Sequence, residues 1–379
     1  MQSTVPPIAT GPIIALTHEF WPKRAGIAVY VEETARAAAE LGLAIEVWAP
    51  AHPRLLERNY PFTVRPMPVH GTQSWADRLR LALHLRRNAS TIRNATLWLP
   101  EPGPLRTYLY SSLLNLPQPR QYCITLHGSE FVRFNRKITY SYLLDNLLSH
   151  ARRVGVVSRY VRDCVLDEYP DIAPQLRLTH GALRYDFEVV GTPTTPHEKP
   201  FITILAVGRV HPRKGYHLLL DAIARLPEAS RNRCVVRLIG PKAREGYCEA
   251  LIAQAKYNAI NFHYLGEIPE ASLGREYTQA DLFALPSTEY LGSVEGFGLV
   301  ALEAAAHGLP ILGFNSGGIG DAVAHGHNGL LAPAGDIVQL SHYIDLLVHD
   351  TALRHRFATN SLSWVNQFSW KTVAEALFR

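Results

Sequence analysis

Cysteine is scarce in this chain of 379 residues: there are four, at Cys123, Cys164, Cys234 and Cys248. Their spacing fits neither a zinc site nor a disulfide framework, so reduced thiols in a reducing compartment are expected. Long apolar runs are lacking too, and none reaches the ~18 residues that a membrane-spanning helix needs. The opening, MQSTVPPIATGPIIAL, has no basic segment ahead of its apolar stretch, so no secretory signal is read there. Together these absences predict a cytoplasmic protein. There is no Asp-x-Asp pair of the kind that holds a divalent ion on a diphosphate, and neither a metal nor a cofactor is expected. Internal repeats and low-complexity tracts are also missing.

What is present reads as globular, with 47% hydrophobic and 19% charged residues. The length exceeds one ordinary core and suits two domains. The formal charge of +5 is unevenly spread: residues 1–190 carry 22 basic against 16 acidic side chains, residues 191–379 carry 16 against 17. No RNA- or DNA-binding motif accompanies the basic half, so nucleic acid is not an expected partner.

Along the chain, Ile13–Thr17 reads as a buried strand and Val29–Leu41 as a helix ending at Gly42; Ile45–Trp48 is the next strand. Strand, loop, helix and strand repeat, which predicts parallel sheets covered by helices. Further strands are expected at 63–65, 95–99, 121–126 and 153–157, and helices at 76–93, 105–114, 138–150 and 159–169. From Val190 to Pro200 the polar segment VGTPTTPHEKP holds three prolines and separates two α/β halves. The second half restarts at Phe201–Val207, with a helix over 217–226. More strands are expected at 235–239, 260–264, 282–285 and 311–314, and a terminal helix over 364–379 with a break near 368–370. The expected domains are 1–190 and 191–363, with 364–379 as a closing helix.

The most informative stretch is Pro286 to Gly335, in which Glu295 and Glu303 bracket Gly296, Phe297, Gly298 and Leu299. A glycine turn opening a helix presents unpaired backbone N–H groups and a positive dipole end to an anion. Two carboxylates there would repel a bare phosphate. They suit a ligand with phosphate in the middle and hydroxyls at both ends, as in a nucleotide sugar. Gly317-Gly318-x-Gly320 imitates part of a dinucleotide fingerprint but lacks its strand–turn–helix context.

The run EGFGLVALEAAAHGLPIL, followed by SGGIGDAV and HGHNGLL, resembles the E-x7-E signature of the family 4 (group 1) retaining glycosyltransferases of the GT-B fold. Gly208-Arg209 and Lys214-Gly215 resemble that family's G-R-x4-K-G element, YTQADLFALPS its approach to the motif, and Leu265–Ile268 its base-binding loop. The likeness is dense over residues 200–335 and sparse before them. It implies two doubly wound, Rossmann-like α/β domains facing across a cleft, with the last helix crossing back to the first. It implies that Arg209 and Lys214 stabilise a departing diphosphate, that Glu295 takes sugar hydroxyls and that Glu303 takes ribose hydroxyls. Gly296, Phe297, Gly298 and Leu299 would line the phosphates, and Ile268 would mark the base. His127, ending a strand, stands at the place of the family's histidine near the donor sugar. The stretch FWPKRAGIAVYVEE resembles the family's loop that closes over phosphates and acceptor, and Gly26 alone is carried over from it, since Ala25 departs from the usual glycine pair; His180 likewise replaces a common asparagine and receives no role.

The implied activity is metal-independent transfer of a hexosyl unit, of mannose or glucose type, from a nucleoside diphosphate sugar to an acceptor glycan, lipid or small molecule. The alternatives are a sugar-nucleotide epimerase or hydrolase of the same fold, or an inactive nucleotide-sugar-binding protein. Trp21, Arg24, Phe131 and Arg133 are weak candidates for meeting the acceptor. The basic, leucine-containing segment Trp75–Arg93 raises the prospect of peripheral contact with the inner face of a membrane, set against an ordinary domain-surface helix.

Overall fold

Short aliphatic runs bounded by glycine, proline and asparagine become the strands of two parallel sheets. The structure, a computed structural model, describes residues 11–23, 25–55, 57–72, 74–128, 138–187 and 200–379. Arg24, Phe131, Arg133 and the 190–200 segment up to residue 199 therefore lie outside the described residues. The chain separates into two units, the first running to Tyr185 and including Ser369–Arg379, the second covering Asp186–Phe368.

Among the described residues the first unit holds seven strands: β1 (Ile13–Leu16), β2 (Ile45–Pro50), β3 (Thr63–Met67), β4 (Thr96–Leu99), β5 (Gln121–Leu126), β6 (Arg153–Val156) and β7 (Leu176–Leu178). Their order is β3-β2-β1-β4-β5-β6-β7, all parallel. β1, β4 and β6 are buried along their whole length, which is why they read as continuous runs rather than alternating ones. The order reverses between β1 and β4. In an open sheet of this kind, ligands bind at such a reversal, beyond the carboxyl ends of the strands.

The last helix, Trp370–Phe378, packs inside this first unit. Trp370 donates its indole N–H to the Leu183 carbonyl at 2.7 Å, and Phe378 meets Trp98 edge-on at 5.4 Å. Both Leu377 and Phe378 are fully buried. The second unit holds β8 (Ile202–Val207), β9 (Cys234–Ile239), β10 (Asn261–Gly266), β11 (Leu282–Leu285), β12 (Ile311–Asn315) and β13 (Gly329–Pro333). They lie parallel in the order β10-β9-β8-β11-β12-β13, with the reversal between β8 and β11. Leu219, Ile223, Leu238, Leu251, Ile344 and Phe357 are among the side chains of its core.

Several expected boundaries move. The first helix begins at Gly26 rather than Val29, since Ala25 already has the extended backbone of a cap. The helix expected over 76–93 is two, Trp75–Arg87 and Ala89–Arg93, parted at Asn88. The 105–114 helix is Pro102–Leu109, started by proline in its first turn and capped by Glu101. The closing helix starts at Trp370, not Trp364, after a short 3-10 turn over Val365–Gln367. Strands β7 and β13, and the helices Ile337–His349 and Thr351–Trp364, were not anticipated. All four cysteines are free, and three of them are buried.

Because the terminal helix fills the core of the first unit, Phe378→Ala is expected to destabilise that unit by about 3–5 kcal/mol. Denaturant unfolding checks this, and a loss under 1 kcal/mol would show that the helix is not integral to that core.

Candidate active site

The loop after β8 carries GRVHPRKGY, and its glycine is decisive. Gly215 has φ 68°, and a Cβ there would lie 1.8 Å from the Pro286 carbonyl oxygen. Only glycine permits this approach of the loop to the end of β11. The contact is reinforced by the Thr288 N–H donating to the Arg213 carbonyl at 3.0 Å. His211 caps the short turn Pro212–Lys214, its Nδ1 accepting from the Arg213 N–H at 3.1 Å. The outcome is that the loops following β8 and β11, on either side of the strand-order reversal, are locked together.

Glu295 receives the product of that locking. Lys214 Nζ donates to Glu295 Oε2 at 2.7 Å and Arg213 Nη1 to the same oxygen at 2.9 Å, with the Ser287 hydroxyl at 3.4 Å. All three fall on Oε2, so Oε1 keeps its acceptor capacity. Burial alone would raise the carboxyl pKa, but Lys214 and Arg213 outweigh it and hold Glu295 down at about 2, against an ordinary 4.5. Lys214 is itself only 8% exposed, and burial lowers the pKa of its ammonium more than Glu295 restores it. The Glu295 backbone is pinned as well: Gly318 N–H donates to its carbonyl at 2.8 Å, and a Cβ at Gly317, φ 57°, would sit 2.4 Å from that oxygen. Gly317-Gly318 is thus a seat for Glu295 and not a dinucleotide fingerprint.

Arg209, in the same loop, is exposed and makes no hydrogen bond or ion pair among the described residues. Its charge is available. Tyr216 lies nearby, buried, with its hydroxyl unpartnered; a Cβ on Gly208 would meet both that hydroxyl, at 3.1 Å, and Lys214 Cε, at 3.3 Å.

Gly298 precedes the helix Leu299–Ala306, whose first N–H groups have no partner within the helix. The Phe297 side chain is 5% exposed and packs edge-on against Phe368 at 5.5 Å, so it anchors the turn from the core side. Gly296 and Leu299 are half-buried on either side of it. Along the helix Glu303 accepts from the Tyr277 hydroxyl at 2.9 Å. His307 stacks on the Tyr277 ring at 4.9 Å and donates from Nδ1 to the Glu303 carbonyl at 2.9 Å. Ile268 is half-buried in the loop just after β10.

In the first unit, His127 follows β5, its Nε2 donating to the Pro100 carbonyl at 2.8 Å and its ring meeting Tyr30 edge-on at 5.0 Å. Gly26 is exposed at the start of its helix. Trp21 is covered by Arg58 at 4.0 Å and donates to the Arg54 carbonyl at 3.0 Å. Sequence reasoning missed Arg213, Tyr216 and Tyr277. Arg213 adjoins Lys214, and a run of two cations before a glycine was the available signal; Tyr277 reads in sequence only as a buried aromatic before β11.

Residues 193–364 match the family Glycosyl transferases group 1, and residues 24–182 match Glycosyltransferase Family 4. The chain belongs to the family 4, group 1 glycosyltransferases. It is 34% identical over 177 residues to a D-inositol 3-phosphate glycosyltransferase of Corynebacterium efficiens, covering 45% of this chain and 40% of that one. It is 32% identical over 200 residues to a glycogen synthase of Mycobacterium tuberculosis, covering 52% and 44%. The chain thus spans less than half the length of these curated relatives. Among solved structures it is similar to HepE of Anabaena in complex with UDP and glucose, with TM-score 0.74, 20% identity, and 96% and 97% of the two chains covered. A sucrose-phosphate synthase of Thermosynechococcus elongatus gives TM-score 0.74, 20% identity, and 96% of each chain. The fold of this family member is GT-B, two Rossmann-like units with parallel sheets.

The depressed pKa of Glu295 fixes a pH signature. Its ion pairs add stability above pH 4.5, and that contribution is lost as pH falls from 4.5 through about 2. In Glu295→Gln the contribution, on the order of 3 kcal/mol, is missing at pH 7. The gap between wild type and variant should close on acidification when both are followed by urea unfolding; a gap constant from pH 7 to pH 3 would contradict the assignment.

Proposed function

We propose that this chain transfers a hexosyl unit, of glucose or mannose type, from a nucleoside diphosphate sugar to an acceptor hydroxyl, with retention of anomeric configuration and without a metal. The observation that carries the reading is the division of labour at one carboxylate. Lys214 and Arg213 saturate Glu295 Oε2, Oε1 accepts from no group among the described residues, and Arg209, in the same loop as the two cations, makes no ion pair among them. An open carboxylate oxygen accepts sugar hydroxyls, and an unpaired arginine takes a diphosphate bidentately.

In this reading the diphosphate meets Arg209, Lys214 and the amides of Gly298 and Leu299 at the helix N-terminus. Glu303, oriented by Tyr277, accepts the ribose hydroxyls, and the base lies by Ile268. His127 and Gly26 are the first unit's candidates for meeting the donor. The bond from the anomeric carbon to the phosphate oxygen breaks, the acceptor oxygen bonds to that carbon on the same face, and the acceptor's proton passes to the leaving phosphate. The protein positions the reactants and stabilises the growing charge. Charge neutralisation in this reading falls to Arg209 and Lys214. That UDP and glucose occupy the similar HepE structure supports the donor class.

A thermal-shift panel of nucleoside diphosphate sugars identifies the donor as the ligand that stabilises most. With that donor, Arg209→Ala is expected to lower turnover by roughly 10²–10³ with melting temperature unchanged, since its head group makes no hydrogen bond or ion pair among the described residues. Wild-type turnover in that variant, or inverted product configuration by NMR, overturns the reading.

Peripheral membrane contact belongs to the same proposal. In the helix Trp75–Arg87, Trp75, Leu79 and Leu83 are 53%, 51% and 50% exposed and spaced by four, so they form one stripe. Arg86 and Arg87 flank it, exposed. Among the described residues no helix is long and apolar enough to cross a membrane. The chain is expected to sediment with anionic vesicles at low salt, and Leu79→Ser with Leu83→Ser to abolish this; failure of the wild type to sediment removes the membrane component.

A further inference from the structure

We propose that the cluster of Trp75, Arg78, Tyr110 and Tyr140 in the first unit binds the phosphate group of a phosphorylated acceptor. The starting observation is an anomaly of charge. Arg78 is only 7% exposed, yet its Nε and Nη1 have no hydrogen-bond partner. No carboxylate pairs with it among the described residues. Its sequence neighbour Asp77 is spent elsewhere, accepting from the His70 and Thr72 N–H groups at 3.1 and 2.8 Å, from the Thr72 hydroxyl at 2.6 Å and from Arg80 at 3.0 Å. A guanidinium cannot shed its proton, and a buried one without a counter-charge is strongly unfavourable. Such a group calls for an anion that completes it.

The surroundings specify which anion. The Trp75 ring covers the Arg78 guanidinium at 4.5 Å, and Tyr110 stands 5.9 Å away. Trp75 and Tyr110 are themselves in contact at 5.3 Å, and Tyr110 meets Tyr140 edge-on at 5.9 Å. An aromatic face over the guanidinium leaves its in-plane N–H groups to find acceptors. The Tyr140 hydroxyl hydrogen-bonds with Tyr110 and Arg78, and it feels the positive field of Arg78 and Arg106, which lowers its pKa. Tyr110 is pushed up to about 12, chiefly by burial, and so stays a hydroxyl donor. The unpaired N–H groups of Arg78 and the two phenols offer donors in a positive field to which Arg106 adds. A phosphomonoester dianion matches them. Trp75 and Arg78 occupy the first turn of the helix that follows β3, on the carboxyl side of the parallel sheet where open α/β sheets bind ligands.

The inference rests on the reading of the first unit as the acceptor side, and the test separates the two. Trp75 reports occupancy by its fluorescence in the full chain, with Trp75→Phe as the background. Inorganic phosphate should change that emission saturably, and Arg78→Gln should raise the apparent dissociation constant at least tenfold. Tyr140→Phe, which removes one oxygen only, should raise it several-fold and guards against misfolding of the arginine variant. Glycerol 3-phosphate replacing phosphate identifies a soluble acceptor; phosphatidic acid vesicles acting where glycerol 3-phosphate does not identify a lipid headgroup; either outcome supports the site. No saturable Trp75 response, or unaltered binding in both variants, overturns it. Phosphate binding intact with no sugar transfer from any donor would instead sink the transferase reading and leave the site standing.

Discussion

One buried ion cluster governs the second unit. Glu295 holds its charge because Lys214 and Arg213 converge on a single oxygen, and these two cations are held because the carboxylate is there. Removing charges from water costs several kcal/mol each, so a cluster of this kind survives only with close geometry and full compensation. The geometry comes from backbone: Gly215 against Pro286 on one side, Gly317-Gly318 against the Glu295 carbonyl on the other. Those contacts bring the loops after β8 and β11 together at the strand-order reversal. What they leave over is one oxygen of Glu295 and an exposed Arg209, neither of which makes a hydrogen bond or ion pair among the described residues.

The same economy appears in the neighbouring helix. Glu303 is not an isolated carboxylate but is steadied by Tyr277, whose ring in turn lies flat on His307. A carboxylate held in one orientation loses less freedom if it binds a ligand, and that advantage is what the proposed role of Glu303 would draw on. His307 spans this arrangement by donating to the Glu303 backbone, tying the helix end to the aromatic layer beneath.

Much of this was legible beforehand. The parallel α/β layering followed from buried aliphatic runs alternating with helical periods, and the glycine-bracketed Glu295 and Glu303 stood out because two carboxylates at an anion-binding turn need an explanation. Other features were not legible, for physical reasons. β7 has three residues, one of them an arginine, and sits at the sheet edge, where little burial is required. β13 is hidden in a stretch dominated by glycine, histidine and asparagine, and it forms because β12 offers it a partner. Asn88 ends a helix whose apolar spacing continues past it to the buried Ile92. Arg213 passed as a spacer, since nothing in a linear sequence shows that it reaches a glutamate 82 positions away. Phe297 looked like part of a ligand loop, whereas its ring belongs to the core. In each case a long-range contact decided what local pattern left open.

The central claim is that Lys214 and Glu295 act as one unit. A double-mutant cycle with Lys214→Met, Glu295→Gln and the pair together, read by urea unfolding at pH 7, tests it most directly. The account predicts that each single change is strongly destabilising and that the double change costs less than the two combined, with a coupling of about 2–3 kcal/mol. Additive losses would contradict it.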